Sequence, residues 1–165
     1  MSARIANTRG ARPKGGWPHE KRKDKTPRAK NQRQPRVVNK AYKGLIAGLP
    51  SIISGMGPCE VCHVRYADAN HQKRNTGMQE KPSDIWCLPL TTEEHRVGTN
   101  AQHNANERQW WADQGIDPLQ ACKDLYAVAT CPEYDESRRR DVMVGVIAAH
   151  RMLGVVRRET REETQ

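Results

Sequence analysis

Phenylalanine is absent from this 165-residue chain, and aromatic residues of all kinds make up only 5% of it. With 36% apolar residues and a mean hydropathy of -0.91, the chain has limited means to build a core. The expectation is one small domain with tails, not two domains. No apolar run approaches membrane-spanning length, and the first 20 residues lack the apolar stretch of a secretory signal. The sequence therefore points to a cytoplasmic protein with no membrane partner. An odd number of cysteines, five, argues against a disulfide framework, and C-x-x-C at 59–62 reads as metal or redox chemistry in a reducing compartment.

Acidic residues are scarce at one end. Residues 1–40 hold 13 of the 28 Lys and Arg against Glu20 and Asp24 alone, a balance of +11, while the other 125 residues balance at -2. The net +9 of the chain is thus concentrated in an arm rich in Pro, Gly, Lys and Arg, which is expected to be disordered when free. Such an arm supplies sequence-independent, salt-sensitive attraction to phosphates, or else serves as a solvated tail.

Beyond the arm the pattern alternates between short elements. A helix is expected over Val37–Leu49, ended by Pro50 or by G-M-G-P at 55–58. His63–Gln72 reads as a strand, Lys73–Ser83 as a long loop and Asp84–Leu90 as the returning strand. Thr91 and Glu94 form a capping-box signature at a helix start. Further helices are expected over Asn104–Gln114, ended by Gly115, and Pro118–Ala129, with Pro118 near its first turn. The last, Glu136–Arg158, carries Val142, Val146, Ala149, Leu153 and Val156 at helical spacing.

The chemistry is concentrated between Cys59 and His103, which hold four of the six histidines. C-E-V-C (59–62), D-A-N-H (68–71), T-G-M-Q-E-K-P-S-D-I-W-C-L-P-L (76–90), His95, His103 and W-W-A-D-Q-G-I-D-P (110–118) together resemble the HNH, or ββα-metal, endonucleases. The likeness is closest to a phage-associated family of unknown-function domains related to the recombination-enhancement nuclease Ref. It covers roughly half of the chain, from about Gly44 to Ala129. The resemblance implies an α+β fold in which a small ββα-metal (HNH) finger packs with several flanking helices behind a basic, disordered N-terminal arm. The corresponding division is an arm at 1–40, a nuclease domain at 41–130, and a C-terminal helix and tail at 131–165.

Phosphodiester hydrolysis needs a base to deprotonate water and a cation to hold the phosphate and the departing oxygen. By the resemblance His71 is the general base, and the residue before it binds metal. Here that residue is Asn70, whose amide oxygen is a weaker ligand for a hard cation. Asp68 lies on the same face of the expected strand and is the alternative. His95 is the expected helix ligand. His103 lies eight residues on, which in one unbroken helix is a rise of about 12 Å. Gly98-Thr99-Asn100 could break the helix and bring it back. One divalent cation is expected, and mixed His and oxygen ligands suit Mg, Mn, Ni or Zn.

A structural zinc is a second expectation of the family, begun here by Cys59 and Cys62. Members close such a site with P-L-C-x-x-H-H, whereas this chain has P-L-T-T-E-E-H. Thr91 and Glu94 stand where two ligands belong, with His63 or Cys87 as off-spacing substitutes. Asp84 and Trp86 are nearest to a second-strand Asn that some members carry; Asp84 could orient His71 and Trp86 belongs to the core. Lys73 and Arg74 suit a loop that meets DNA phosphates, or an ordinary solvated loop. Trp110 and Trp111 suit packing, or stacking on bases. Cys122 and Cys131 read as free thiols.

The leading expectation is an HNH endonuclease that nicks or cuts DNA. By the resemblance it serves phage or prophage DNA processing or recombination in the bacterial host cytoplasm, with a recombination or replication protein as a candidate partner. The alternative is a non-enzymatic nucleic-acid-binding protein on a degenerate HNH or zinc-knuckle scaffold. A third reading is a redox or zinc-knuckle protein acting through Cys59 and Cys62. Oligomeric state is open, with the last helix as a candidate dimer surface.

Overall fold

The Asn39 side chain accepts the amide of Tyr42 at 2.9 Å and starts the first helix, α1 (Lys40–Ala47), which buries Tyr42 and Ile46. The computed structural model describes residues 36–76 and 80–164; the basic arm expected at 1–40 lies outside them as far as residue 35. After α1 come β1 (Cys59–His63), a 3₁₀ turn at Asp84–Trp86, β2 (Cys87–Thr91) and a five-residue π-helical segment at Glu93–Val97. A 3₁₀ turn at Gln102–Asn104 precedes α2 (Glu107–Asp113), α3 (Pro118–Thr130) and α4 (Glu136–Glu162). The described residues thus combine α-helices with a two-stranded antiparallel sheet, an α+β arrangement.

The first strand comes earlier than its expected span. Cys59–His63 pairs with β2 in the register Cys59 to Thr91, Val61 to Pro89 and His63 to Cys87. The next stretch, V-R-Y-A-D-A-N-H-Q, includes Ala, Asp, Asn and Gln, poor strand formers. Instead of continuing the strand, Asp68 and Lys73 exchange backbone hydrogen bonds at 2.9 and 2.8 Å around a tight turn. Gln72 there adopts a φ of 57°. The returning strand starts at Cys87, because Asp84–Trp86 turns inward to bury Asp84.

All five residues of β2 are buried, since helices cover the sheet. α1 packs on both strands and α3 on β2, while α4 packs along α3. One apolar cluster joins Tyr42, Ile46, Leu88, Leu90, Trp111, Leu119, Leu125, Met143 and Ile147, so α4 shares the core of the sheet. Asp117 caps α3 by accepting from Leu119 and Gln120 amides, with Pro118 in the first turn; Asp135 caps α4 by accepting from the Arg138 amide. Gly115 has a φ of +67°, and a Cβ there would lie 2.5 Å from the Gly154 carbonyl oxygen. Only a residue without a side chain lets the α2–α3 turn rest against α4 so closely. Trp110 and Trp111 are buried, ring against ring at 4.8 Å, and the indole of Trp110 donates to the Asn100 carbonyl. They pack; they are not placed to stack on a base.

Among the described residues no helix is long and apolar enough to cross a membrane.

Candidate functional site

The capping box at the end of β2 forms reciprocally. The Glu94 carboxylate accepts the Thr91 amide at 2.8 Å, and the Thr91 hydroxyl accepts the Glu94 amide at 3.3 Å. The buried Ser51 hydroxyl donates to the same carboxylate at 2.6 Å, tying this start to the loop after α1. His95 therefore emerges from a rigid corner.

One turn later the helix stops. The Gly98 amide closes on the Glu93 carbonyl at 2.9 Å, and a Cβ at 98 would lie 2.7 Å from that oxygen. Successive tight turns follow, Ala101 amide to Gly98 carbonyl and Asn104 amide to Ala101 carbonyl, each at 2.9 Å. The reversal carries His103 back onto His95, with ring centroids 4.4 Å apart. The rise of a continuous helix, which would separate them, does not occur.

Glu60, on β1, completes this corner. Its carboxylate stands 2.9 Å from His95 Nδ1, accepts the Thr92 hydroxyl at 3.0 Å, and pairs with Arg96. Arg96 and His95 hold the Glu60 carboxyl down at about 2. A carboxylate on one ring nitrogen fixes the orientation of the imidazole and leaves Nε2 as the outward nitrogen. His103 Nε2 lies 2.8 Å from the Arg65 guanidinium. An arginine can only donate, so this nitrogen offers its lone pair and the ring is neutral. Partial burial, then Arg65, His95 and Arg96, lower the pKa of His103 and favour that neutral form.

His71 sits in the tight turn 68–73. Asp68 Oδ1 accepts its amide at 3.1 Å and lies 3.2 Å from Nδ1, so one carboxylate caps the turn and orients the ring. Asp117 Oδ2 stands 3.5 Å from Nε2, while its other oxygen caps α3. The G-I-D-P segment thus contributes a side chain to His71. Asp68 also faces Arg108 at 3.6 Å.

Several sequence expectations are redrawn by this arrangement. Asp68 and Asn70 do not share a strand face, because no strand forms there; Asp68 is drawn to His71, and Asn70 is exposed on the turn. Among the described residues, no group of three close His, Cys, Asp or Glu ligand atoms includes His95. Lys73 is not on a phosphate-facing surface. It is 3% exposed, and its ammonium donates to the Arg65 carbonyl at 3.1 Å and to that of Tyr66 at 2.5 Å. Burial pulls the pKa of Lys73 down. Arg74 is paired with Glu80.

The C-x-x-C pair lies within β1, where successive side chains alternate faces, so Cys59 and Cys62 point to opposite sides. Their sulfurs do not converge on one tetrahedral zinc. Burial raises the Cys59 thiol to about 11 and Cys62 higher still, which disfavours the thiolate that either zinc or redox chemistry needs.

Three other ligand atoms do converge. His63, Asp84 and Cys87 lie within 4.8 Å of one another, a grouping that could hold a metal ion. Asp84 does not touch His71; it is fully buried and engages Arg36 at 2.9 Å, the Asn39 amide at 2.9 Å, His63 at 3.1 Å and Lys43 at 3.4 Å. Burial opposes its charge, yet these donors hold its carboxyl down at about 2. The Cys87 thiol is pushed up to about 12 by burial, then by Asp84. The evident work of this cluster is to fasten residues 36–43 to the sheet.

Glu60 and Asp117 escape the sequence reading for different reasons. Placing the strand at 59–63 would have set Glu60 on the face opposite Cys59. Asp117 before Pro118 is a legible helix cap, but its second oxygen reaches His71 only through the packing of α3.

No family model, curated protein or solved structure matches this chain.

Proposed function

We propose that this protein is a divalent-metal-dependent endonuclease acting on DNA, with His71 as general base and with His95 and His103 as ligands of one cation. The observation that carries the reading is the corner of Glu60, His95 and His103: two apposed imidazoles, one of them oriented by a carboxylate on its other nitrogen. Two imidazoles suit Ni or Zn, and Mn or Mg would require oxygen ligands beside them. When bound, the cation supplies Lewis acidity at the phosphoryl oxygen and at the departing 3′-oxygen.

The chain's own part is to position and to move a proton. Asp68 on Nδ1 favours the tautomer in which Nε2 takes the proton from water, and Asp117, 3.5 Å from Nε2, is placed to stabilise the imidazolium that results. The water oxygen forms the new bond to phosphorus, the P–O3′ bond breaks, and the leaving oxygen takes a proton from solvent. The order strand, strand, short π-helical segment supports this reading, as does the net positive charge of 1–40 for a polyanionic substrate.

The second reading, nucleic-acid binding without cleavage, is favoured by one observation: the His103 lone pair is engaged by Arg65, and Asp68 by His71 and Arg108. Supercoiled plasmid incubated with Mg²⁺, Mn²⁺, Ni²⁺ or Zn²⁺ separates the two. Nicking that His71→Ala abolishes supports the enzyme; undiminished DNA binding with no cleavage in any of these metals leaves only the binding protein.

A further inference from the structure

Arg65 and Arg108 leave the backbone from neighbouring points and reach toward the two halves of the candidate site. The Glu107 carboxylate, half-buried at the start of α2, accepts the Arg65 amide with both oxygens at 3.0 and 3.1 Å. The next residue, Arg108, lays its guanidinium over the Tyr66 ring at 4.6 Å and donates to the Ala67 carbonyl at 2.8 Å. The first turn of α2 therefore clamps the segment 65–68. From this clamp Arg65 extends to His103, and Arg108 to Asp68, the partner of His71.

Arg65 engages an imidazole where Arg108 faces a carboxylate. Among the described residues no carboxylate forms an ion pair with the Arg65 guanidinium. Arg65, Arg96, His95 and His103 gather near one another, with Glu60 paired to Arg96 and Glu107 holding the Arg65 amide as the acidic groups. Arg65 also holds the lone pair that His103 would offer to a cation. The two cannot share it, so a cation on His103 would have to displace the guanidinium. Arg108 is 61% exposed and already oriented by the Tyr66 face and a carbonyl, with donors to spare. Each guanidinium is engaged through terminal nitrogens and, with five N–H donors, keeps others that suit the tetrahedral oxygens of a phosphodiester.

We propose that Arg65 and Arg108 form a two-armed clamp for nucleic-acid phosphodiesters, spanning the gap between His71 and the His95–His103 pair. The nuclease reading enters only in saying which phosphate is held, the scissile one and its neighbour. The clamp itself requires no metal and no cleavage.

The test is the salt dependence of binding. The full chain, in EDTA so that cleavage cannot intervene, is titrated into a fluorescein-labelled DNA duplex and followed by anisotropy over a range of NaCl. Removing one phosphate-binding side chain should flatten the log–log slope by about 0.9. Arg65→Ala and Arg108→Ala are each expected to do so once, and the double variant by about twice that, on top of the larger slope from the arm. Arg65→Lys and Arg108→Lys keep the charge and should restore the slope while binding more weakly. Circular dichroism verifies that each variant is folded; should Arg108→Ala unfold, Arg108→Gln takes its place. Slopes and affinities equal to the parent's in the single and double variants overturn the clamp, even if plasmid nicking stands. Absence of nicking in the parent protein removes the nuclease reading and leaves a flattened slope as evidence for the clamp.

Discussion

His95 and His103, eight residues apart in sequence, pack their imidazoles 4.4 Å apart because the chain reverses at Gly98. Glu60, from the first strand, engages Nδ1 of His95. The proposed cation site thus depends on three segments meeting at one corner, and each can be probed separately.

Glu60→Gln keeps the size of the side chain and removes the charge that orients His95. Loss of such a supporting carboxylate is expected to weaken divalent-cation binding about 10–100-fold. Titration calorimetry with Mn²⁺ or Ni²⁺ measures this, and an affinity equal to the parent's would separate Glu60 from the cation site.

Gly98→Ala forces a Cβ to within 2.7 Å of a backbone oxygen. The turn must open, at a cost of roughly 1–3 kcal/mol by analogy with overpacked sites. The expected signature is a double one: a lower melting temperature and a weaker cation affinity, since His103 no longer returns to His95. Loss of stability with cation affinity unchanged would detach the reversal from metal binding.

Lys73→Met tests whether the residue is structural. Its ammonium satisfies two backbone carbonyls beneath the His71 turn. Methionine fills similar space without the donors, and losing both hydrogen bonds costs on the order of 2 kcal/mol. Duplex binding by the folded variant should retain the parent's salt slope. A slope flattened by about one unit would instead return Lys73 to the DNA-binding surface.

Asp84 makes stability depend on pH at the acid end. Its folded carboxyl lies at about 2, below the ordinary 3.8, so the stabilisation is fully present above pH 4 and disappears as pH falls toward 2. Asp84→Asn removes that contribution and leaves Arg36 and Lys43 without their buried partner, with an expected loss of about 3 kcal/mol at neutral pH. Melting curves between pH 2 and 7 should therefore converge for parent and variant at the acid limit. Curves that remain parallel would show that the charge of Asp84 is not what holds residues 36–43 to the sheet.

Much of the local structure is legible in the sequence because its causes are local. Thr91 with Glu94, and Pro118 in the first turn of α3, act across one to four residues, and the capping and helix starts they announce are present. The first strand is harder to read. C-E-V-C looks like a metal knuckle when its spacing is considered and like a strand when its neighbours are. Only pairing with β2 decides between them, and that pairing sends the two sulfurs to opposite faces.

By itself the sequence determined the segregation of charge into residues 1–40, the helical periodicity of the C-terminal half and the concentration of histidines between 63 and 103. Tertiary structure decided which of those groups meet. Glu60 with His95, Asp117 with His71 and Arg65 with His103 are separated by 35, 46 and 38 residues. No backbone periodicity encodes such pairs. They exist because helices and sheet bury a shared apolar cluster, and the polar side chains at its edge must then find partners where the packing leaves them. The same requirement buries Lys73 under a turn that charge alone assigns to solvent and DNA.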